Sequence, residues 1–129
     1  MSYLLDTHAL LWWWLDDRAL PGRAIEAIKA RSQTVFVSPV SALEIAIKVR
    51  IGRLDVMREP LERFDELVSR DALTQLPISY VHARHAGLLP GVHRDPFDRL
   101  IAAQALIEGL TVITRDREIS RFGCKVLWE

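Results

Sequence analysis

Cysteine is nearly absent from this chain: one residue, Cys124, in 129. No disulfide can close within the chain, and a reducing compartment is the natural expectation. The ordinary role for Cys124 is that of a small buried residue near the C-terminus. Long apolar runs are also missing. None approaches the roughly 20 residues a membrane helix needs, and the first residues lack the charged-then-apolar layout of a secretory leader. A cytoplasmic protein with no membrane contact is expected. Charge of one sign is missing too, since Lys plus Arg and Asp plus Glu both number 17 and the formal net charge is zero. Bulk attraction for a polyanion is thereby excluded, while a local basic rim around an acidic pocket is not. There is no internal repeat, low-complexity tract or linker, and no Cys–His set of zinc type. His82-Ala83-Arg84-His85 is not a metalloprotease pattern, and these histidines are expected to be solvated helix residues. What remains is half hydrophobic, enough for one domain over residues 1–129 with a core of its own.

Apolar patterning alternates strands with helices. Residues 2–5 read as a first strand. Residues 8–15 form a helix apolar on all sides, with Trp12, Trp13 and Trp14 adjacent, so core or dimer packing is expected of it. Residues 23–31 read as an amphipathic helix with Ile25 and Ile28 inward, and 34–37 as a second strand. Ser38 then caps a helix with Pro39 in its first turn, running to about Ile51 and closed by Gly52. Residues 53–59 read as a connector, 61–69 as a helix, 73–76 as a third strand and 79–88 or 89 as a helix broken by Pro90-Gly91. Asp95-Pro96 opens a helix that reaches Glu108 and stops at Gly109. A fourth strand over 110–114, a short helix over 116–122 and a fifth strand over 125–128 complete the order. This alternation predicts an α/β domain whose five-stranded, mainly parallel sheet is covered on both faces.

Four acids stand where apolar runs meet polar residues: Asp6, Glu44, Asp98 and Asp116. In an open parallel sheet, ligands bind beyond the carboxyl ends of the strands, near the switch in strand order. Asp6 ends the first strand, Asp116 follows the fourth, and Glu44 and Asp98 lie in first turns of helices that start on the same edge. All four can therefore converge. Two like charges about 5 Å apart at an effective dielectric of about 20 repel by roughly 3 kcal/mol, so such a group calls for a cation. Hard oxygen ligands favour Mg²⁺ or Mn²⁺.

Each acid also has an ordinary reading. Asp6 and Asp116 suit helix caps. Glu44 ends Ser41-Ala42-Leu43-Glu44, a capping-box spacing, although Val40, Glu44, Ile47 and Ile51 share a stripe that turns it toward the core. Asp98 suits a helix dipole, yet Asp98, Ala102 and Ala105 lie on one stripe that aims it at the sheet rim. Asp95 competes with Asp98 and is given a supporting place as the cap, beside the hydroxyls of Thr7 and Thr114. Arg94, Arg99, Arg115 and Arg117 are close to the acids in sequence, with Arg121 farther on. They suit a basic rim that holds a phosphodiester and equally suit solvated helix faces. His93 is a lesser candidate for substrate contact, and the tryptophans suit stacking on bases, although their wholly apolar helix makes core or dimer packing the better reading.

Four stretches carry a resemblance. Leu4-Leu5-Asp6-Thr7-His8-Ala9-Leu10-Leu11-Trp12, residues 37–45 around Ser38-Pro39 and Glu44, His93-Arg94-Asp95-Pro96-Phe97-Asp98-Arg99 with the helix to Ala105, and Val112-Ile113-Thr114-Arg115-Asp116 follow in order. Together they resemble PIN domains, most closely the VapC-type toxins of toxin–antitoxin pairs. The resemblance implies a three-layer PIN-like α/β/α fold. It implies a Mg²⁺- or Mn²⁺-dependent endoribonuclease, with Asp6, Glu44, Asp98 and Asp116 as acids and metal holders. A homodimer and a small antitoxin, whose C-terminal segment covers the site, are implied as well. Asp6 and Asp98 are the expected direct ligands. The alternatives are a receiver-type phosphoacceptor domain, a non-catalytic module of the same fold, and a DNA nuclease. Against the receiver, Thr7 rather than a second acid follows Asp6.

Overall fold

A computed structural model describes residues 1–91 and 95–129. Strand β1 (Ser2–Leu5) leads into α1 (Thr7–Trp14) and α2 (Gly22–Lys29), then β2 (Thr34–Val37) and α3 (Pro39–Arg50). A 3-10 turn (Asp55–Met57), α4 (Arg58–Glu62) and α5 (Phe64–Arg70) precede β3 (Thr74–Gln75). The rest is α6 (Tyr80–Leu88), α7 (Pro96–Glu108), β4 (Thr111–Ile113), α8 (Arg117–Ser120) and β5 (Val126–Leu127).

The five strands form one sheet in the order β3-β2-β1-β4-β5, and every pairing is parallel. β1 is central, with Tyr3 opposite Val35 on one side and Thr111 on the other. Alternation along the strands splits the core into two layers. Tyr3, Leu5, Val35, Val37 and Ile113 join Leu10, Leu11 and Ile28 on one face. Leu4 and Val112 join Ile101, Ala102, Ala105 and Ile119 on the other. The expected three-layer α/β/α architecture is borne out. Among the described residues no helix is long and apolar enough to cross a membrane.

Local chemistry explains the element ends. Ser38 accepts the Val40 amide at 3.1 Å and Pro39 opens α3, where a missing N–H costs nothing. The capping-box reading of Ser41 and Glu44 is therefore overturned, because the helix is already running when it reaches them. Glu44 falls in the second turn rather than the first. The buried stripe of α3 is Val40, Ser41, Ile45 and Val49, offset from the predicted one. Gly109 ends α7 with φ 70°, a left-handed geometry that favours glycine.

Other boundaries differ from expectation. The connector over 53–59 holds the 3-10 turn and the start of α4. The single helix expected over 61–69 is divided at Arg63, whose backbone leaves the helical region (φ −107°, ψ 23°) while its guanidinium spans the break to Glu59 and Glu66. Strand β3 pairs over two residues only, since Pro77 ends it. His82, expected in solvent, is buried. It takes the third position of a capping box with Ser79, its Nδ1 accepting the Ser79 amide at 3.0 Å, and its Nε2 reaches Glu108 at 2.8 Å. Histidine there does the work Glu or Gln does elsewhere.

Two of the three tryptophans are held by one acid. Trp13 and Trp14 both donate indole N–H to Asp71 Oδ2, at 3.0 and 2.8 Å, and Trp14 meets Phe64 edge-on. Burial works against ionisation of Asp71 more than any other single influence. The hydrogen bonds from Arg70, Trp13 and Trp14 together with the Arg70 charge outweigh it and hold the carboxyl below the ordinary 3.8. A lowered folded-state value stabilises above the unfolded pKa and is lost as pH falls through the folded one. Asp71→Ala is expected to cost about 2 kcal/mol at pH 7, the scale of hydrogen bonds to a charged group. Urea unfolding at pH 7 and near pH 3 checks this: the cost should shrink at the lower pH.

Candidate metal and phosphodiester site

The order of strands reverses between β1 and β4, which makes the carboxyl ends of those two strands the switch point. Asp6 and Asp116 are found there. The Asp6 amide extends the ladder by donating to Ile113 O at 3.2 Å, which locks the start of α1 against the end of β4. Asp6 is buried at 6 % exposure. Its Oδ1 accepts the Ala9 amide at 2.8 Å and its Oδ2 accepts the Thr114 hydroxyl. The same Thr114 oxygen accepts the Asp116 amide at 2.9 Å, and Asp116 Oδ1 accepts the Glu118 amide at 2.9 Å. One hydroxyl thus ties the two acids together. Both acids also cap helices, so the ordinary reading is realised without exhausting the lone pairs of either carboxylate.

A cavity of about 300 Å³ opens here, lined by Asp6, His8, Trp12, Arg115 and Asp116. Burial pushes the Asp6 carboxyl above the ordinary 3.8, and the charge of Asp116 pushes it the same way. The Thr114 hydroxyl, the Ala9 amide and His8 pull it back. A buried carboxylate with a second one beside it is a place where a cation is worth most.

The other expected residues are distributed around this pair. Thr7 Oγ1 lies 3.0 Å from Ser41 Oγ, both buried, so α3 is pinned beside the start of α1. Glu44 is one turn farther along α3, half-buried, and faces Lys48 at 3.6 Å. Asp95 caps α7, its Oδ1 accepting from the amides of Phe97 and Asp98 at 2.9 and 3.4 Å. Asp98 is half-buried in the first turn, on the stripe of the fully buried Ala102 and Ala105. Neither Glu44 nor Asp98 lines the cavity, and among the described residues no three His, Cys, Asp or Glu side chains are gathered as a metal cage.

The arginines divide. Arg115 and Arg117 are exposed beside Asp116. Arg99, expected at the substrate, instead closes the end of α6: its guanidinium donates to the carbonyls of Ala86 at 2.9 Å, Gly87 at 3.4 Å and Leu89, and it lies over Phe122. The carbonyls left open where α6 ends before Pro90 attract it there. Arg121 pairs with Glu118. Arg94 and His93 lie outside the described residues.

Three lining or supporting residues were not assigned to the site from sequence. Ser41 had the right signal, a small hydroxyl three positions after a cap. His8 and Trp12 share the i, i+4 spacing of one helix face, but in an apolar helix that spacing points to packing.

An all-parallel α/β protein with carboxylates at the β1/β4 switch point is the class defined by this geometry. A model of the PIN domain family matches residues 3–124, and the chain belongs to that family. It is 27% identical to Ribonuclease VapC22 of Mycobacterium tuberculosis over 92% of this chain and 89% of that protein. Among solved structures it is similar to VapBC2 from Rickettsia felis bound to a promoter DNA fragment, with TM-score 0.76 and 20% identity over all of both chains. VapBC-1 from nontypeable Haemophilus influenzae is similar at TM-score 0.70 and 18% identity, covering 98% of this chain and 97% of that one. FitAcB from Neisseria gonorrhoeae gives 0.65 and 22%, covering 97% and 96%.

Proposed function

We propose that this protein is a divalent-metal-dependent endoribonuclease of VapC type, the toxin of a toxin–antitoxin pair. The observation that carries the reading is the buried Asp6 beside Asp116 in a cavity at the sheet's switch point. Its support comes from the family and from a relative named as a ribonuclease. The donor set fits a hard cation, because Mg²⁺ takes one or two carboxylates and keeps several waters. Asp6 and Asp116 would hold the ion, in place of the pair Asp6 and Asp98 expected from sequence, because Asp116 lines the cavity and Asp98 does not. Glu44 and Asp98 would complete the acid set through waters. Asp98 is preferred to Asp95 because it lies on the α7 stripe of the buried Ala102 and Ala105, whereas Asp95 precedes the helix as its cap.

When bound, the cation would activate a water and neutralise charge building on the attacked phosphate. The chain's own residues do the rest. Thr114 fixes the direction of the Asp6 carboxylate and, through the Asp116 amide, the spacing of the pair. Arg115, which lines the cavity, and Arg117, exposed next to Asp116 in sequence, would hold the RNA backbone, whose contacts set register. Similar solved chains come from VapBC and FitAB assemblies, which supports an antitoxin partner; a C-terminal antitoxin segment over the site and a homodimer belong to the same proposal.

The direct test is cleavage of a panel of structured RNAs with Mg²⁺, with Mn²⁺ and with chelator. Discrete cleavage that requires the metal is expected. Intact RNA throughout, or cleavage that ignores the chelator, would refute the reading.

A further inference from the structure

Three consecutive tryptophans take two different directions. Trp13 and Trp14 are tied to Asp71, whereas Trp12 lines the acid cavity. The Trp12 ring is half-buried and braced by Trp128 (5.6 Å, 55°) and by His8 (5.6 Å, 42°). Over it lies Arg115, with Cζ 4.7 Å from the ring centroid.

Arg115 sits in sequence between Thr114 and Asp116 and shares a cavity with two carboxylates, yet no ion pair joins it to either. A guanidinium so placed would ordinarily swing onto the acids and neutralise them. Stacking on the indole supplies a competing resting place of cation–π character. Two consequences follow. The carboxylates are left open for a cation. The guanidinium, engaged by neither acid, keeps its N–H fork available for two phosphate oxygens at once.

We infer that Trp12 is a positioning residue, holding Arg115 off Asp6 and Asp116 and presenting it to an RNA phosphate adjacent to the cleaved one. This rests on the ribonuclease reading for its substrate. A lysine cannot replace Arg115, because an ammonium neither stacks in plane nor donates as a fork.

The experiment is a double-mutant cycle of Trp12→Leu and Arg115→Ala, with Trp12→Phe and Arg115→Lys as companions. Two quantities are read: binding of a fluorescent RNA oligonucleotide in chelator, and KM and kcat with Mg²⁺. Trp12→Leu and Arg115→Ala should each weaken RNA binding in chelator and raise KM roughly tenfold. In Arg115→Ala kcat should change far less, whereas Trp12→Leu, which frees Arg115 to close on the acids, should also raise the Mg²⁺ concentration needed for half-maximal activity. The double variant should be no worse than either single one, since both remove one device. Arg115→Lys should resemble Arg115→Ala, and Trp12→Phe should recover most of the affinity. Trp12→Leu should lower the salt dependence of binding by about one phosphate contact. Losses that multiply in the double variant, or Trp12→Phe and Trp12→Leu proteins that fold and bind RNA as the wild type does, would overturn the inference. Wild-type protein that binds RNA through this cycle but never cleaves it would sink the nuclease reading and leave the clamp standing. Wild-type protein without RNA affinity would sink both.

Discussion

Asp6→Asn is expected to abolish RNA cleavage and, at the same time, to stabilise the metal-free protein. Loss of activity should be about 10³-fold, the upper range for removing one preorganised group that acts on developing charge. The stability gain follows from the sign of the Asp6 shift. Burial, with Asp116 adding to it, raises the folded-state value above 3.8. The native protein therefore holds a proton at pH values where the unfolded chain has released it. Stability tied to this group is full below 3.8 and falls as pH rises through the window above it. An amide removes that fall and still accepts the Ala9 amide. At pH 7 in chelator the variant should gain about 1–2 kcal/mol, the scale of relieving one poorly compensated buried polar group. Urea unfolding of both proteins from pH 4 to 8 checks it: their difference should widen as pH rises. A variant less stable than wild type in chelator at pH 7 would show that Asp6 is an ordinary cap.

Thr114→Val should have the opposite effect on stability and the same direction of effect on activity. Its hydroxyl serves two masters, donating to Asp6 and accepting the Asp116 amide. Valine keeps the shape and loses both bonds. A buried carboxylate is then left with one partner fewer and a backbone N–H with none, a cost of about 2–4 kcal/mol. Because this hydroxyl pulls the Asp6 value down, its removal moves that value further up. The penalty should accordingly be larger at pH 7 than at pH 4. Cleavage should fall about 10–100-fold, as when an outer partner of a metal ligand is lost. Thr114→Ser retains the hydroxyl and should recover most of both losses. Equal unfolding midpoints for the valine and wild-type proteins would contradict the bridge.

Much of this was legible from residue order. Asp95-Pro96 and Gly109 bracket α7 because each uses a local rule that tertiary contacts do not override: a side-chain cap, a ring without N–H, and a left-handed turn. The period-two alternation of β1 and β4 set Leu4 and Val112 against Leu5 and Ile113, and with it the two-layer core. Asp6 and Asp116 were legible because strand ends at a switch point meet regardless of side-chain detail. Glu44 and Asp98 were harder, since a helical stripe gives a direction and not a distance. The clamp of Arg99 on the end of α6 was not legible because its partners are carbonyls, thirteen positions away for Ala86, and main-chain acceptors leave no trace in residue type. His82 was misplaced for a related reason: besides its local bond with Ser79 it reaches Glu108 on α7, a contact between helices that no local pattern encodes. The tryptophans divide because Trp13 and Trp14 meet Asp71, 58 and 57 positions away, while Trp12 meets Arg115 and Trp128 from the far end of the chain.

Binding of Mn²⁺ followed by isothermal titration bears most directly on the central claim, that Asp6 and Asp116 make this cavity a cation centre. Wild-type protein should bind the ion, and Asp6→Asn and Asp116→Asn should each weaken that binding by an order of magnitude or more while remaining folded. Equal affinity in all three proteins, or no binding by the wild type, would contradict it.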